Sequence, residues 1–154
     1  MKSRNLAALM IAAIICLCAS TATAQTKPDF SGAWKMNREK SKFAGGGPDN
    51  ILIKIDHKEP TFVEEWSMTT PNGERSFQAK YTTDGKETEQ EVMGRTAKTS
   101  AKWEGAALMI EWTSEGDFFK RKITLSADGK TMTKVVSHNE GGEQKEDTVV
   151  FEKQ

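Results

Sequence analysis

Arg121 is the residue whose type and position most strongly suggest chemistry. It shares a period-two face with Phe119, Ile123 and Leu125, so simple alternation puts a guanidinium on the apolar side of a strand. A buried arginine needs a partner, because desolvating its charge alone is costly. Glu64 and Glu111 are candidate internal acids, and the anionic head of a ligand is the other candidate. A rim position, with the stem reaching solvent, satisfies the same pattern. Trp66, Tyr81, Trp103, Trp112 and Phe119 form the companion set on inward-facing positions. Each offers a broad apolar face, and the tryptophans and the tyrosine add a polar tip. These six residues are the expected lining of a pocket for a small hydrophobic or amphipathic molecule, although the same rings could simply fill a solid interior.

Other chemistries find little support. The sequence has no Gly-x-Ser-x-Gly elbow, no phosphate loop ending in Lys-Ser/Thr and no His-Glu-x-x-His. Gly45-Gly46-Gly47-Pro48 lacks the lysine and following helix that phosphate binding requires, so it reads as a loop. His57 and His138 stand at strand ends, where solvated histidines are commoner than zinc ligands. Glu87, Glu89 and Glu91 share one face of a very polar strand and read as solvated, not as paired carboxylates for glycoside chemistry. A catalytic role, a metal and a cofactor are therefore not expected.

The elements that must position these residues are strands. Phe30, Gly32, Trp34 and Met36 alternate with polar or small neighbours, as do Ile51, Ile53, Ile55 and His57. Such alternation marks antiparallel strands with one buried and one wet face. Asn72-Gly73, Asp84-Gly85, Glu104-Gly105, Glu115-Gly116 and Asp128-Gly129 punctuate the runs with residues that tolerate tight hairpin turns. The pattern predicts ten strands, near 29–37, 51–58, 61–69, 74–83, 86–93, 95–104, 106–114, 117–126, 131–139 and 144–153. Residues 38–50 form the one long connection, with room for a helical turn before the glycines. A meander of this length closes most economically into an antiparallel up-and-down β-barrel, because closure removes exposed sheet edges. A flatter sandwich is the architectural alternative.

Asp29-Phe30-Ser31-Gly32-Ala33-Trp34-Lys35 resembles the Gly-x-Trp opening of lipocalins and fatty-acid-binding proteins. Val149-Val150-Phe151-Glu152-Lys153 is similar to the closing strand of fatty-acid-binding proteins, and the whole chain after residue 24 resembles small secreted lipocalin-like proteins of bacteria. The resemblance implies that Trp34 plugs one end of the barrel and that Lys153 lies over it. It does not carry over the Arg-x-Tyr pair that grips a fatty-acid carboxylate on the last strand, since Val149 and Phe151 occupy those positions. The helical lid of that family is also replaced here by residues 38–50.

The N-terminus supplies the cellular context. Lys2 and Arg4, the apolar run Leu6–Cys18 and Ala22-Thr23-Ala24 form the layout of a cleavable secretory signal, with cleavage expected after Ala24. The apolar run is short for a membrane-spanning helix, so no transmembrane segment is expected in residues 25–154, which read as a single domain. Both cysteines, Cys16 and Cys18, lie in the leader, so the mature chain has neither disulfide nor thiolate. The interspersed charges, with no basic block, argue against nucleic acid as a partner. The expectation is an exported, periplasmic or secreted, non-enzymatic barrel that binds a small hydrophobic or amphipathic molecule. The competing expectation is a cell-envelope protein-interaction module with a filled barrel.

Overall fold

A computed structural model describes residues 26–154 except Met93 and Gly141, so the expected signal segment, residues 1–24, lies outside the described residues. Ten strands follow in chain order: β1 (Gly32–Met36), β2 (Asn50–Lys58), β3 (Thr61–Thr70), β4 (Gly73–Thr82), β5 (Thr88–Val92), β6 (Arg95–Glu104), β7 (Ala107–Ser114), β8 (Asp117–Leu125), β9 (Thr131–Glu140) and β10 (Glu143–Lys153). All join one antiparallel sheet in the order β4-β3-β2-β1-β10-β9-β8-β7-β6-β5. The first and last strands thus lie side by side in the middle of the sheet, and the wall curls into a nearly closed barrel. Alternation carries the design: on β2, Ile51, Ile53, Ile55 and His57 are buried while Leu52, Lys54, Asp56 and Lys58 are exposed. The two Asp-Gly-Lys turns repeat one mechanism. Asp84 and Asp128 each accept a hydrogen bond from the backbone N–H two residues on, at 3.1 and 3.0 Å, while Gly85 and Gly129 take φ of 80° and 69°.

Two strands start later than the pattern predicts. β1 begins at Gly32, not at 29, because the preceding backbone donors are engaged elsewhere: Ser31 N–H donates to Asp29 Oδ1 at 2.8 Å and Phe30 N–H to His57 Nδ1 at 3.4 Å. β5 begins at Thr88, not at 86, because Lys86 N–H is tied back to Asp84, and Asp84 itself bridges to Lys102 on β6. The connection from β1 to β2 turns at 38–40 and then docks on β10, where Lys42 and Thr148 exchange backbone hydrogen bonds of 2.7 and 2.8 Å. The glycines that follow prevent any helix from growing there.

The barrel is packed solid at the end where the N-terminal segment enters. Phe30, Trp34 and Phe62 are essentially inaccessible, each ring removing roughly 1.5–3 kcal/mol worth of apolar surface from water. Trp34 Nε1 donates to the Phe30 carbonyl at 2.9 Å, and Lys153 Nζ stands 5.4 Å from the centre of the Trp34 ring, as the resemblance implies. The opposite end, the mouth, carries the β3–β4, β5–β6, β7–β8 and β9–β10 turns.

Sheet closure is incomplete between β4 and β5, which are consecutive in the chain but do not pair. A side chain replaces the missing ladder. Gln90 accepts from Lys80 N–H at 3.2 Å through Oε1, and its Nε2 donates to the Lys80 carbonyl at 2.8 Å and to Thr99 Oγ1 at 2.7 Å. The carboxamide thus does what a backbone amide does in a sheet, at the two edges most exposed to mispairing. Gln90→Ala is expected to cost about 1–2 kcal/mol and to speed hydrogen exchange at the Lys80 amide selectively; unchanged protection there would refute the clamp.

Candidate functional site

The interior halfway along the barrel holds three charges. β3 carries Phe62, Glu64 and Trp66 on its inner face, β8 carries Arg121 and Ile123, and β9 carries Met132 and Lys134. Because β2, β1 and β10 separate β3 from β9 in the sheet, side chains from these strands meet only across the interior. Glu64 and Lys134 are completely buried, and the Arg121 side chain keeps 13% exposure. Glu64 Oε2 accepts from Arg121 Nη1 at 2.9 Å, its Oε1 accepts a very short hydrogen bond from Lys134 Nζ, and Arg121 Nη2 donates to Tyr81 Oη at 2.6 Å. Both cations also face aromatic rings: Lys134 Nζ is 4.4 Å from the Trp66 centroid, and the Arg121 guanidinium is 5.7 Å from Trp66 and 5.6 Å from Tyr81.

The cluster holds two cations and one carboxylate. Burial pushes the Glu64 carboxyl upward, but the Arg121 and Lys134 charges outweigh it and hold the group down to about 2. Burial, reinforced by Arg121, pushes the Lys134 ammonium down to about 8 against the pull of Glu64. Burial also raises the Tyr81 hydroxyl, so it stays a neutral partner. At neutral pH this cluster therefore carries one more positive than negative charge.

Toward the mouth the lining becomes aromatic. Trp66 stacks on Phe77 of β4 at 5.5 Å and 12°, and meets Phe151 edge-on at 6.3 Å. Phe77 reaches across the seam to pack against Val92, Ala97 and Trp112. Trp112, Phe119 and His138 are direct cross-strand partners on β7, β8 and β9, with ring centroids 5.0 and 5.7 Å apart in succession. A cleft of about 490 Å³ opens at the seam, lined by Met68, Arg75, Phe77, Gln78, Glu91 and Gly94. Its lining combines Met68 and Phe77 of the inner face with Gln78 and Glu91 of the outer one. A groove of about 460 Å³, lined by Lys98, Thr113 and Asp117 among others, lies at the β7–β8 turn and contains none of the charged cluster.

Of the six residues expected from sequence, the structure brings Trp66, Tyr81 and Arg121 together in the charged layer, and Trp112 and Phe119 together in the mouth. Trp103 is not brought to either group. It lies at the packed end, stacked on Phe30 at 6.0 Å, with Nε1 donating to Glu59 at 2.8 Å. Its inward parity is as expected, but it is next to the last residue of β6, beside the N-terminal plug. Between the two acids expected for Arg121, Glu64 is the partner; Glu111 pairs with Lys120 at 2.9 Å. Sequence reasoning missed Lys134, although Met132-Thr133-Lys134-Val135-Val136 places it on the same inward phase as a buried methionine. It also missed Glu59, which accepts hydrogen bonds from Lys27, His57, Thr83 and Trp103. These hydrogen bonds overcome the upward push of partial burial and hold its carboxyl down to about 2. His57 belongs to that packed-end cluster and His138 to the mouth.

The architecture is that of the calycin-type barrels, in the ten-stranded form of the fatty-acid-binding proteins. Solved structures similar to this chain include fatty-acid-binding protein 1 of Echinococcus granulosus, with a TM-score of 0.60 at 13% identity over 80% of this chain and 96% of that one. The zebrafish ileal bile-acid-binding protein complexed with cholic acid matches with a TM-score of 0.59 at 18% identity, over 81% of this chain and 98% of that one. Human cRBP IV matches with a TM-score of 0.62 at 16% identity, over 83% of this chain and all of its own length (100%). At such identities the likeness concerns the fold. No family model matches the sequence. No curated protein matches it either.

Proposed function

We propose that this protein is an exported, non-enzymatic carrier of a small amphipathic molecule, held with its apolar body among the mouth aromatics and an anionic end toward Arg121 and Lys134. The observation that carries this reading is the imbalance of the enclosed cluster, with two cations against Glu64 beneath an aromatic lining. An uncompensated buried charge is unfavourable, and an anion supplied by a ligand is the natural complement. Fold neighbours named for fatty-acid and bile-acid binding support ligand carriage by this architecture. Export is supported by the composition of residues 1–24.

Native mass spectrometry of the purified protein, followed by organic extraction, is expected to show a co-purified amphipathic acid. Added octadecanoate is expected to quench Trp66 and Trp112 fluorescence and to leave Trp103 unaffected. A protein that stays ligand-free and is unquenched by amphipathic acids would overturn the proposal. It would favour the filled-barrel module, whose supporting observation is the solid packing of Phe30, Trp34 and Phe62 at the other end.

A further inference from the structure

Among the described residues, three buried side-chain polar atoms make no hydrogen bond: Trp66 Nε1, Trp112 Nε1 and His138 Nδ1. Trp66 belongs to the charged layer. The other two flank one residue, Phe119, in a single cross-strand row. Trp112 is only 8% exposed, whereas Phe119, at 37%, is with Leu52 one of the exposed large hydrophobics. Leu52 faces outward on β2, but Phe119 shares the inward phase of Arg121. Its ring lies between theirs in the row, edge-on to Trp112 and stacked on His138.

An indole N–H can only donate, so nothing but an acceptor satisfies Trp112. Asp147 does not satisfy His138. Its Oδ2 stands 3.9 Å from Nδ1, beyond hydrogen-bond reach, and its Oδ1 accepts from Ala44 N–H at 2.8 Å. Two buried polar atoms left unpaired beside one half-exposed ring are a cost the fold does not otherwise require. We propose that Trp112 Nε1 and His138 Nδ1 form a second polar subsite, which takes oxygen atoms borne on the body of an amphipathic ligand.

The geometry sets the ligand class. β7 and β9 lie on either side of β8, roughly 9.6 Å apart, so one atom does not serve both nitrogens and the full subsite takes two oxygens. Phe119 is two residues from Arg121 on the same face, which puts this row roughly 6.6 Å along the strand from the Arg121 backbone. A ligand anchored at the charged cluster thus carries hydroxyl or keto groups along its body, and a plain alkyl chain leaves both nitrogens unpaired. This inference rests on the ligand-binding reading above.

The test is calorimetric titration of the purified protein with octadecanoate, its 7-, 10- and 12-hydroxy derivatives and 7,12-dihydroxyoctadecanoate, whose two oxygens are spaced to reach both nitrogens. At least one hydroxylated acid is expected to bind about tenfold more tightly than octadecanoate. Trp112→Phe is expected to abolish that gain, read as the ratio of hydroxy-acid to octadecanoate affinity on the same variant, since it deletes the donor while keeping an aromatic ring at that position. His138→Phe is expected to reduce the gain for the dihydroxy acid, and provides an independent check should Trp112→Phe fold poorly. Octadecanoate binding without any gain from hydroxylation, or a gain that survives both substitutions, overturns the subsite and leaves the carrier reading standing. Failure of every acid to bind overturns both.

Discussion

Replacing Glu64 by glutamine is expected to lower folding stability by about 3–5 kcal/mol, whereas Lys134→Met changes it by less than about 1.5 kcal/mol. The two partners of one buried ion pair rarely differ so much, and the asymmetry follows from the charge count. Glu64 is the single anion between Arg121 and Lys134, so its loss strands two cations in the interior with only Tyr81 and Trp66 as company. Methionine at 134 has a similar volume and removes the surplus cation, leaving Glu64 paired with Arg121. What it forfeits is the contact with Trp66 at 4.4 Å, worth about 1–2 kcal/mol when desolvated, against which stands the relieved desolvation of an ammonium. Urea unfolding at pH 7, with equal m-values across variants, measures both changes. A domain of this size commonly has about 5–15 kcal/mol in total, so Glu64→Gln approaches the limit of folding. Equal damage from the two substitutions would mean that the interior is not overloaded with positive charge.

The fold was legible because the period-two pattern is nearly unbroken and its punctuation is chemically specific. On β2 every second residue from Ile51 to His57 is buried, and the Asp-Gly-Lys turns use their aspartates in the same way. The expected strand ends failed at β1 and β5, where donors are diverted to side chains distant in sequence, such as His57 Nδ1, or to a local aspartate. Local propensity contains no term for a side chain 27 residues away. The unpaired seam was illegible for the same reason: Gln90 sits in an ordinary polar strand, and only its contact with Lys80 reveals that it stands in for a ladder.

At the site, Arg121 was conspicuous because one charge interrupted an apolar face, and Glu64 followed as one of two acids able to meet it. Parity says which way a side chain points but not how far along the axis it lies. Trp103 and Trp66 are therefore indistinguishable by alternation, although one is at the packed end and the other in the charged layer. Lys134 escaped because β9 alternates threonine, lysine and valine, so its inner face is not visibly apolar until Met132 is known to be buried.

The enclosed lysine also predicts an unusual pH response: stability should rise between pH 8 and 10. The Lys134 ammonium titrates at about 8 in the folded protein against 10.5 when free. A depressed lysine means that the unfolded chain binds the extra proton, so raising the pH through this window favours the folded state. Complete relief of such a buried charge is worth about 3 kcal/mol. Above pH 10 the gain reverses, because burial raises the Tyr81 hydroxyl and the unfolded chain ionises its tyrosine first. On the acid side Glu64, held at about 2 against 4.5, contributes fully above 4.5 and loses its contribution as pH falls toward 2. Urea midpoints at pH 7, 8.5 and 10 should climb for the native sequence and stay level for Lys134→Met; a level native profile would dismiss the depressed lysine. Octadecanoate discriminates further. A carboxylate lodged beside the cluster restores the charge balance and pulls the Lys134 ammonium back up, so saturating ligand should flatten the alkaline rise. By reciprocal linkage, octadecanoate affinity should fall as the pH passes 8, because the neutral amine no longer calls for an anion.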